Sequence, residues 1–244
     1  KCIKTLSSAG IVNHNLNYNS SQLPVAETQA QITDIALNND GKLLYAASGD
    51  KVKIWDLRKF TMSGKLSGGH QAAVMCMAVG KLSNEEDLVI TGSKDHYIKV
   101  YEVPNQGVGT FASRVTLDPP HYDGVQSLAL RDNVLFSGSR DYVIKKWDLE
   151  SKELLTSINN AHRDWICGLA FVHKQPILVS VCRSGILKLW FTDTCTQIGE
   201  MKAHDSAINA ITTNSSQIFT ASHDNTIKIW RLSNKVDFVY SENS

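Results

Sequence analysis

Serine, histidine and aspartate, the three residue types of a hydrolase triad, recur together along this chain. One set consists of His121, Ser137 and Asp141, and a second set, with threonine in place of serine, lies between residues 204 and 224. A triad is recognised by geometry and not by sequence order, so hydrolysis is one interpretation. A catalytic site needs a single set, however, and recurrence is typical of buried polar groups that satisfy one another in a repeated unit. We therefore expect no enzyme activity from this chain.

Other chemistry has little support in the residue pattern. The five cysteines form no C-x-x-C pair, and the chain contains neither a metal-ligand spacing nor a phosphate-binding or dinucleotide fingerprint, so no cofactor or metal is expected. A net charge of +1 gives no global reason to expect nucleic acid as a partner. Because no apolar run approaches the length of a membrane span, we expect no membrane insertion and a cytoplasmic location.

The elements that must position these polar residues repeat five times. Aromatic residues end equivalent segments at Trp55, Tyr101, Trp147, Trp190 and Trp230, with spacings of 46, 46, 43 and 40 residues. Each segment follows a short apolar run and a turn rich in small residues, which predicts two strands joined by a tight turn. Further apolar runs upstream predict inner strands near residues 32–37, 74–79, 125–130, 166–171 and 208–213. A fixed period of this length is typical of repeat architectures.

Four of the units also begin with a histidine. His70, His121, His162 and His204 precede the inner runs at spacings of 51, 41 and 42 residues. Between about residues 31 and 235 the chain therefore resembles the WD40 repeat family, whose units begin near a Gly-His-like pair and end near a Trp-Asp-like pair. The resemblance implies an all-β fold, a WD40 β-propeller in which each unit is one four-stranded blade.

The resemblance also implies a buried hydrogen-bond chain within each blade. Its members are the histidine, a hydroxyl on the second strand, a turn aspartate and the tryptophan of the third strand. The implied sets are His70, Thr91, Asp95 and Tyr101; His121, Ser137, Asp141 and Trp147; His162, Ser180 and Trp190; and His204, Thr220, Asp224 and Trp230. Tyr101 replaces tryptophan in one unit and Ser184 replaces aspartate in another, so both networks should be weaker. The first unit has no histidine, and no such network is expected there.

Longer blocks resemble a narrower group. Among them, LYAASGDKVKIWDL, LFSGSRDYVIKKWDL and NAHRDWICGLAF are similar to the C-terminal WD-repeat domain of plus-end-directed microtubule motors in the fourth kinesin family. That domain has seven blades, whereas five are countable here, so N-terminal blades are expected to be missing. Residues 1–10 are then expected to form the outer strand of a truncated blade, residues 11–31 a flexible loop, and residues 32–240 the propeller blades.

A binding face is implied at the turns. Lys94, Arg140, Arg183 and His223 directly precede the turn aspartate position, Tyr122, Arg163 and Asp205 directly follow a blade histidine, and Trp165 lies three residues after His162. In WD-repeat propellers these positions lie on one face. The resulting surface would be mainly basic, which favours an acidic ligand, and Trp, Tyr and Arg are enriched at interface hot spots.

The functional prediction is a non-catalytic protein-interaction platform of a kinesin-like motor. The resemblance implies microtubule, tubulin or cargo contact, restraint of microtubule growth and a cytoskeletal location, with the ATPase in a separate motor domain. An alternative is a general scaffold or substrate receptor that binds a peptide, acidic peptides included. RNA binding is a more distant alternative, which a basic face with aromatic residues permits.

Overall fold

The computed structural model describes residues 5–7, 10–12, 31–232 and 238–240, and within them the regular secondary structure consists of strands. Strands β1 (Thr5–Ser7) and β2 (Gly10–Val12) form an antiparallel hairpin. Residues 11 and 12, expected in a loop, therefore belong to a strand. Residues 13–30, the remainder of that predicted loop apart from residue 31, lie outside the described residues.

The other 21 strands form five consecutive sheets, which are the blades. Blade 1 contains β3 (Ile32–Leu37), β4 (Leu43–Ser48), β5 (Lys51–Asp56) and β6 (Thr61–Ser67). Blade 2 contains β7 (Val74–Lys81), β8 (Asp87–Ser93), β9 (Ile98–Val103) and, after β10 (Gly109–Ala112), β11 (Val115–Leu117). Blade 3 contains β12 (Val125–Arg131), β13 (Val134–Ser139), β14 (Ile144–Asp148) and β15 (Glu153–Ile158). Blade 4 contains β16 (Ile166–Phe171), β17 (Ile177–Cys182), β18 (Ile186–Phe191) and β19 (Gln197–Lys202). Blade 5 contains β20 (Ile208–Thr213), β21 (Ile218–Ser222), β22 (Ile227–Leu232) and β23 (Phe238–Tyr240).

The inner strands of successive blades, β3, β7, β12, β16 and β20, lie side by side in chain order. They begin at the residues that the apolar runs indicated, so the predicted all-β propeller architecture is confirmed. The cores lie between the blades, because each sheet packs one face on its neighbour. Leu43 and Tyr45 of blade 1 share a buried cluster with Val89 of blade 2, for example, and similar clusters join each following pair of blades.

Blade 1 departs from the predicted four antiparallel strands. Strand β10, which lies between β9 and β11 of blade 2 in the sequence, pairs in parallel with the outer strand β6 of blade 1. The sheet of blade 1 therefore has five strands. The close approach depends on Gly64, where a Cβ would lie 2.5 Å from the carbonyl oxygen of Gly107 and 2.6 Å from that of Gly109. The segment lies in the longer spacing between two repeats, so the repeat itself carries no information about it.

Every inner strand begins with a β-bulge. The register shifts between the first and third residues of β3, β7, β12, β16 and β20. A bulge releases one residue from the ladder and changes the direction of its side chain. The released residues are Thr33, Met75, Gln126, Cys167 and Asn209. In blades 4 and 5 these residues contribute to the surface described below.

Candidate functional site

The hydrogen-bond network of blade 3 has the geometry that the sequence implied. Nδ1 of His121 lies 2.8 Å from Oδ2 of Asp141, and its Nε2 lies 2.8 Å from Oγ of Ser137. Trp147 donates its Nε1–H to the same serine oxygen at 2.9 Å. Since a carboxylate only accepts hydrogen bonds, the imidazole carries its proton on Nδ1, and Nε2 accepts from the serine hydroxyl. Ser137 is 0% exposed, so this triad-like set is closed to any substrate.

Blade 5 repeats this arrangement. Nδ1 of His204 lies 2.8 Å from Oδ2 of Asp224, and Nε2 lies 2.7 Å from Oγ1 of Thr220. The indole of Trp230 donates to the same threonine oxygen at 2.9 Å. Hydrogen bonds from Thr226 and His204 hold the pKa of Asp224 well below its usual range, so its carboxylate is ionised at neutral pH.

Blade 2 repeats the contacts of the histidine and has tyrosine in place of tryptophan. His70 places Nδ1 2.9 Å from Oδ2 of Asp95 and Nε2 2.7 Å from Oγ1 of Thr91. Tyr101 replaces tryptophan and is buried, and this burial raises the pKa of its phenol. Burial lowers the pKa of His70, which favours the neutral imidazole. The contacts of His70 with Asp95 and Thr91 are therefore the same as in blade 3, and the replacement at Tyr101 affects only the third-strand member of the network.

Blade 4 contains an incomplete network. Nε2 of His162 lies 2.6 Å from Oγ of Ser180, which also accepts from Trp190 at 2.8 Å. The turn position is Ser184, and Nδ1 of the buried histidine has no hydrogen-bond partner among the described residues. Burial, assisted by the nearby Lys188, lowers the pKa of His162 to about 3. The imidazole is thus neutral at physiological pH and has one unsatisfied nitrogen.

The predicted face residues occupy geometrically equivalent positions. The residue before each turn aspartate position donates its backbone N–H to the carbonyl of the residue that precedes the inner strand of the same blade. These bonds are Lys94 to Ala73 (2.9 Å), Arg140 to Gly124 (3.1 Å), Arg183 to Trp165 (2.9 Å) and His223 to Ala207 (2.9 Å). The four turns therefore present their side chains at the same end of successive blades.

Two of these side chains enclose an aromatic ring. The guanidinium carbons of Arg140 and Arg183 lie 4.4 Å and 4.6 Å from the ring centroid of Trp165. Both distances are within the range of cation–π attraction. Arg140 belongs to blade 3 and the other two residues to blade 4, so this trio, called the stack below, joins two blades. Trp165 is half-buried and Arg183 is exposed.

An open groove of about 620 Å³ adjoins the stack between blades 4 and 5. Its lining includes Asp164, Trp165, Cys167, Arg183, Asp205, Asn209 and His223. Two aspartates and one arginine thus line the same groove, and its surface carries both signs of charge. Burial raises the pKa of the Cys167 thiol to about 11. That thiol is protonated at neutral pH and therefore a poor nucleophile.

The remaining predicted face residues are Lys94, Tyr122 and Arg163. Lys94 is exposed and packs against Gly124, next to the turn that presents Arg140. Tyr122 is 88% exposed. Arg163 is exposed and lines a second, smaller cavity beside His162. The structure thus brings Trp165, Arg183, Asp205 and His223 to the groove and places Arg140 on the ring of Trp165, whereas the other three residues do not line the groove.

The part of the chain that the structure describes contains no group of three or more His, Cys, Asp or Glu side chains arranged to hold a metal ion. In the same residues no helix is long and apolar enough to cross a membrane.

A family model described as "WD domain, G-beta repeat" matches residues 21–56, 61–102, 152–190 and 195–231. The chain belongs to the WD40 repeat family. The first three strands of blade 3 lie between the second and third matched ranges, and the strand order and complete network of this blade match those of blade 5. WD40 domains are generally non-catalytic interaction modules.

Relatives of this WD40 chain include kinesin-like proteins. It is 49% identical to human kinesin-like protein KIF21A over 240 residues, which is 97% of this chain and 14% of that protein. It is also 49% identical to mouse kinesin-like protein KIF21B over 233 residues, or 94% of this chain and again 14% of the relative. The predicted kinesin resemblance is confirmed, and the chain spans about 14% of the length of these relatives.

A solved structure titled "Crystal Structure of Mitotic Checkpoint Complex" contains a chain that superposes with a TM-score of 0.75. The match covers 89% of this WD40 chain and 65% of the other, at 21% identity. At that identity the likeness supports the fold alone.

The sequence did not reveal the stack or the cavity beside His162. One signal was available for the stack: residues that precede the inner strands are Gln31, Ala73, Gly124, Trp165 and Ala207, and only one of them is aromatic. For the cavity the signal was the replacement of the turn aspartate by Ser184. The sequence interpretation treated this replacement as a weakness of the network and not as a space that a ligand could occupy.

Proposed function

We propose that this chain is a non-catalytic protein-interaction platform of a kinesin-like microtubule motor and that it binds an acidic segment of its partner. Tubulin, whose tails are acidic, is the favoured partner, and the platform would contribute to microtubule or cargo contact and to restraint of microtubule growth. The chain would act in the cytoplasm on the cytoskeleton. ATP hydrolysis would reside in a motor domain outside this chain.

The observation that supports the proposal most strongly is the stack of Arg140, Trp165 and Arg183. The exposed guanidinium of Arg183 lies over the indole ring, and its planar set of N–H donors suits bidentate contact with a carboxylate. The ring also holds the two arginines in place, so less side-chain entropy is lost on binding. Tryptophan and arginine are the residue types most enriched at interface hot spots.

Charge distribution favours blade 4 as the centre of this contact. Blades 2, 3 and 5 each contain a network carboxylate, from Asp95, Asp141 and Asp224, beneath the face. Blade 4 has the uncharged Ser184 at that position, while Arg163 and Arg183 are exposed beside it. In blade 4, therefore, no network carboxylate offsets the positive charge of the exposed arginines. Asp164 and Asp205 are the carboxylates that line the groove.

The kinesin part of the proposal is supported by the relatives, which are named kinesin-like proteins and match nearly the whole chain. Their names describe those longer proteins, of which this chain matches a small part. A direct binding experiment with the chain is therefore needed.

We expect the variant Trp165→Leu to bind tubulin roughly tenfold or more weakly than the parent, since removal of a hot-spot side chain costs about 2 kcal/mol or more. Arg183→Glu should weaken binding mainly at low salt, because exposed charges act on encounter and are screened by ions. The measurement is the Kd for tubulin at two salt concentrations. Lys65→Glu, an exposed charge reversal on β6 of blade 1, is the matched control.

Two further ligands separate the alternatives. The parent chain is also tested with tubulin that lacks its acidic tails and with single-stranded RNA. Loss of binding to tailless tubulin, together with weak RNA binding, supports the proposal. Equal binding of tubulin by the parent and both stack variants would contradict it, and preferential RNA binding would replace it with the nucleic-acid alternative.

A further inference from the structure

In the three complete networks the aspartate carboxylate accepts from several donors at once. The first is Nδ1–H of the blade histidine, as described above. The second is the backbone N–H of the next residue: Gln71 (2.9 Å), Tyr122 (2.9 Å) and Asp205 (3.4 Å). The third is the backbone N–H two residues after the aspartate: Tyr97 (3.1 Å), Val143 (3.0 Å) and Thr226 (2.9 Å). The fold of a blade therefore builds a cradle for one carboxylate.

In blade 4 the equivalent turn supplies no carboxylate, although a histidine occupies the equivalent position. Ser184 stands at the turn, and a cavity of about 240 Å³, called the notch, lies beside it. The notch is lined by His162, Arg163, Ser184, Ile186, Lys188 and Glu200. His162 is 1% exposed, and its Nδ1 has no partner among the described residues. An unsatisfied buried polar atom costs free energy, so an incoming acceptor would be favoured here.

We propose that the notch of blade 4 binds a carboxylate from outside the blade, in the place that aspartate occupies in blades 2, 3 and 5. The ligand class is a glutamate or aspartate side chain, or a C-terminal carboxylate, of an acidic peptide. This inference extends the proposed function, because it assigns one carboxylate of the acidic partner to a defined pocket. It does not depend on the stack, which lies on the other side of Ser184 and borders the groove.

The chemistry of the lining fits a carboxylate. In the tautomer that the complete networks adopt, Nε2 of the neutral His162 imidazole accepts from the Ser180 hydroxyl, 2.6 Å away, and Nδ1–H is the donor to the incoming carboxylate. Oγ of Ser184 lies 3.1 Å from Sγ of Cys182, so this hydroxyl can accept from the thiol and donate to the ligand. Arg163 is exposed at the notch and contributes a positive charge.

The Glu200 carboxylate also lines the notch and would repel the ligand. Its Oε2 lies 3.1 Å from Nζ of Lys188, so the two side chains form an ion pair. The equivalent lysines of blades 3 and 5, Lys145 and Lys228, instead donate to backbone carbonyls near the blade histidine. Lys188 therefore offsets the charge of Glu200. In blades 3 and 5 the equivalent ammonium groups donate to backbone carbonyls instead.

The test uses the 244-residue chain and two ligands, sodium acetate and tetraglutamate, against sodium chloride and tetraglutamine at equal ionic strength. The readout is the ¹⁵N and ¹H spectrum of the histidine rings. We expect acetate and tetraglutamate to shift the Nδ1 resonance of His162 and to leave that of His121, whose cradle is occupied, unmoved. Glu200→Gln should increase the apparent affinity severalfold, because it removes a repulsive charge.

Ser184→Asp is the decisive variant, since it restores the carboxylate that the other blades contain. It should abolish the acetate response and raise Tm by about 2–4 °C, the shift expected when one buried hydrogen-bond group is satisfied in a domain of this size. Ser184→Ala keeps the notch empty and should retain the response. A sodium chloride effect equal to that of acetate, or an unchanged response in Ser184→Asp, would overturn the proposal.

Inorganic phosphate is a third arm: a shift of His162 with phosphate but not with acetate would also overturn the carboxylate assignment. Trp165→Leu distinguishes the two proposals. If the stack proposal fails and the notch proposal holds, this variant binds tubulin like the parent while acetate still shifts His162. If the notch proposal fails and the stack proposal holds, tubulin binding depends on Trp165 while His162 does not respond to acetate.

Discussion

The recurring histidines differ in the number of hydrogen-bond partners that each one has within its blade. His121 connects Asp141 to Ser137 inside blade 3, whereas His162 reaches only Ser180 in blade 4. The two residues are equally buried and occupy equivalent positions. They therefore offer a matched comparison of a satisfied and an unsatisfied imidazole within one molecule.

We expect His121→Ala and Asp141→Ala each to lower the free energy of unfolding by about 1–3 kcal/mol, because each leaves a buried polar partner unsatisfied. His162→Ala should cost less, since one ring nitrogen is already without a partner. Urea unfolding of the three variants and of the exposed control His173→Ala measures the difference. Partner affinity of the folded His121→Ala and Asp141→Ala samples should match the parent, and abolished binding with unchanged stability would contradict the structural role.

The free energy of unfolding should depend on pH through the buried imidazole of His162 in blade 4. The pKa of His162 is about 3 in the folded chain and about 6.5 when unfolded. Between these values the unfolded state binds a proton that the folded state does not, so stability falls as pH falls from 6.5 toward 3. The slope is up to about 1.4 kcal/mol per pH unit.

The measurement is urea unfolding between pH 7 and pH 4.5 for the parent, for His162→Gln and for the exposed control His173→Gln. His162→Gln should have the shallower slope, because glutamine does not titrate. Burial also lowers the pKa of His70 and His121, so some dependence will remain in the variant. Parallel slopes in all three proteins would show that His162 is not the group responsible.

At the scale of elements, the unusual feature is the parallel strand β10 on the edge of blade 1. An unpaired outer strand presents free N–H and C=O groups that can pair with another chain. By pairing with β6, the segment Gly109–Ala112 covers that edge and links blades 1 and 2 at their outer rims. Phe111, within the same strand, packs against the buried cluster shared by these blades.

Gly64→Ala should weaken this edge, since the new Cβ would meet the carbonyl oxygens of Gly107 and Gly109. Overpacking of this kind costs about 1–3 kcal/mol. We expect faster amide hydrogen exchange in β6 and β10 and a lower Tm, with the network of blade 3 unaffected. Lys65→Ala, an exposed neighbour on the same strand, serves as the control, and equal exchange in both variants would show that the close approach is not needed.

At the scale of the whole molecule, the stacked blades turn a near-neutral chain into a surface with a localised charge pattern. The net charge is +1, but the face of blade 4 combines Arg163 and Arg183 with the only turn among blades 2–5 that lacks the aspartate. The stack then adds Arg140 from blade 3. The proposed binding region is therefore a product of two adjacent blades, and the tubulin and acetate experiments examine its two halves separately.

The sequence by itself determined the repeat, the start of each inner strand and the members of each polar network. These features depend on periodic burial and on partners within one blade, and both are recorded at fixed positions of the repeat. The tertiary structure alone decided that β10 pairs with blade 1, that Arg140 lies on Trp165 of the next blade, and that the missing aspartate at Ser184 leaves a cavity. Contacts between blades depend on how twisted sheets pack against each other. This packing brings together residues from different repeats, and the repeat period does not indicate which residues will meet.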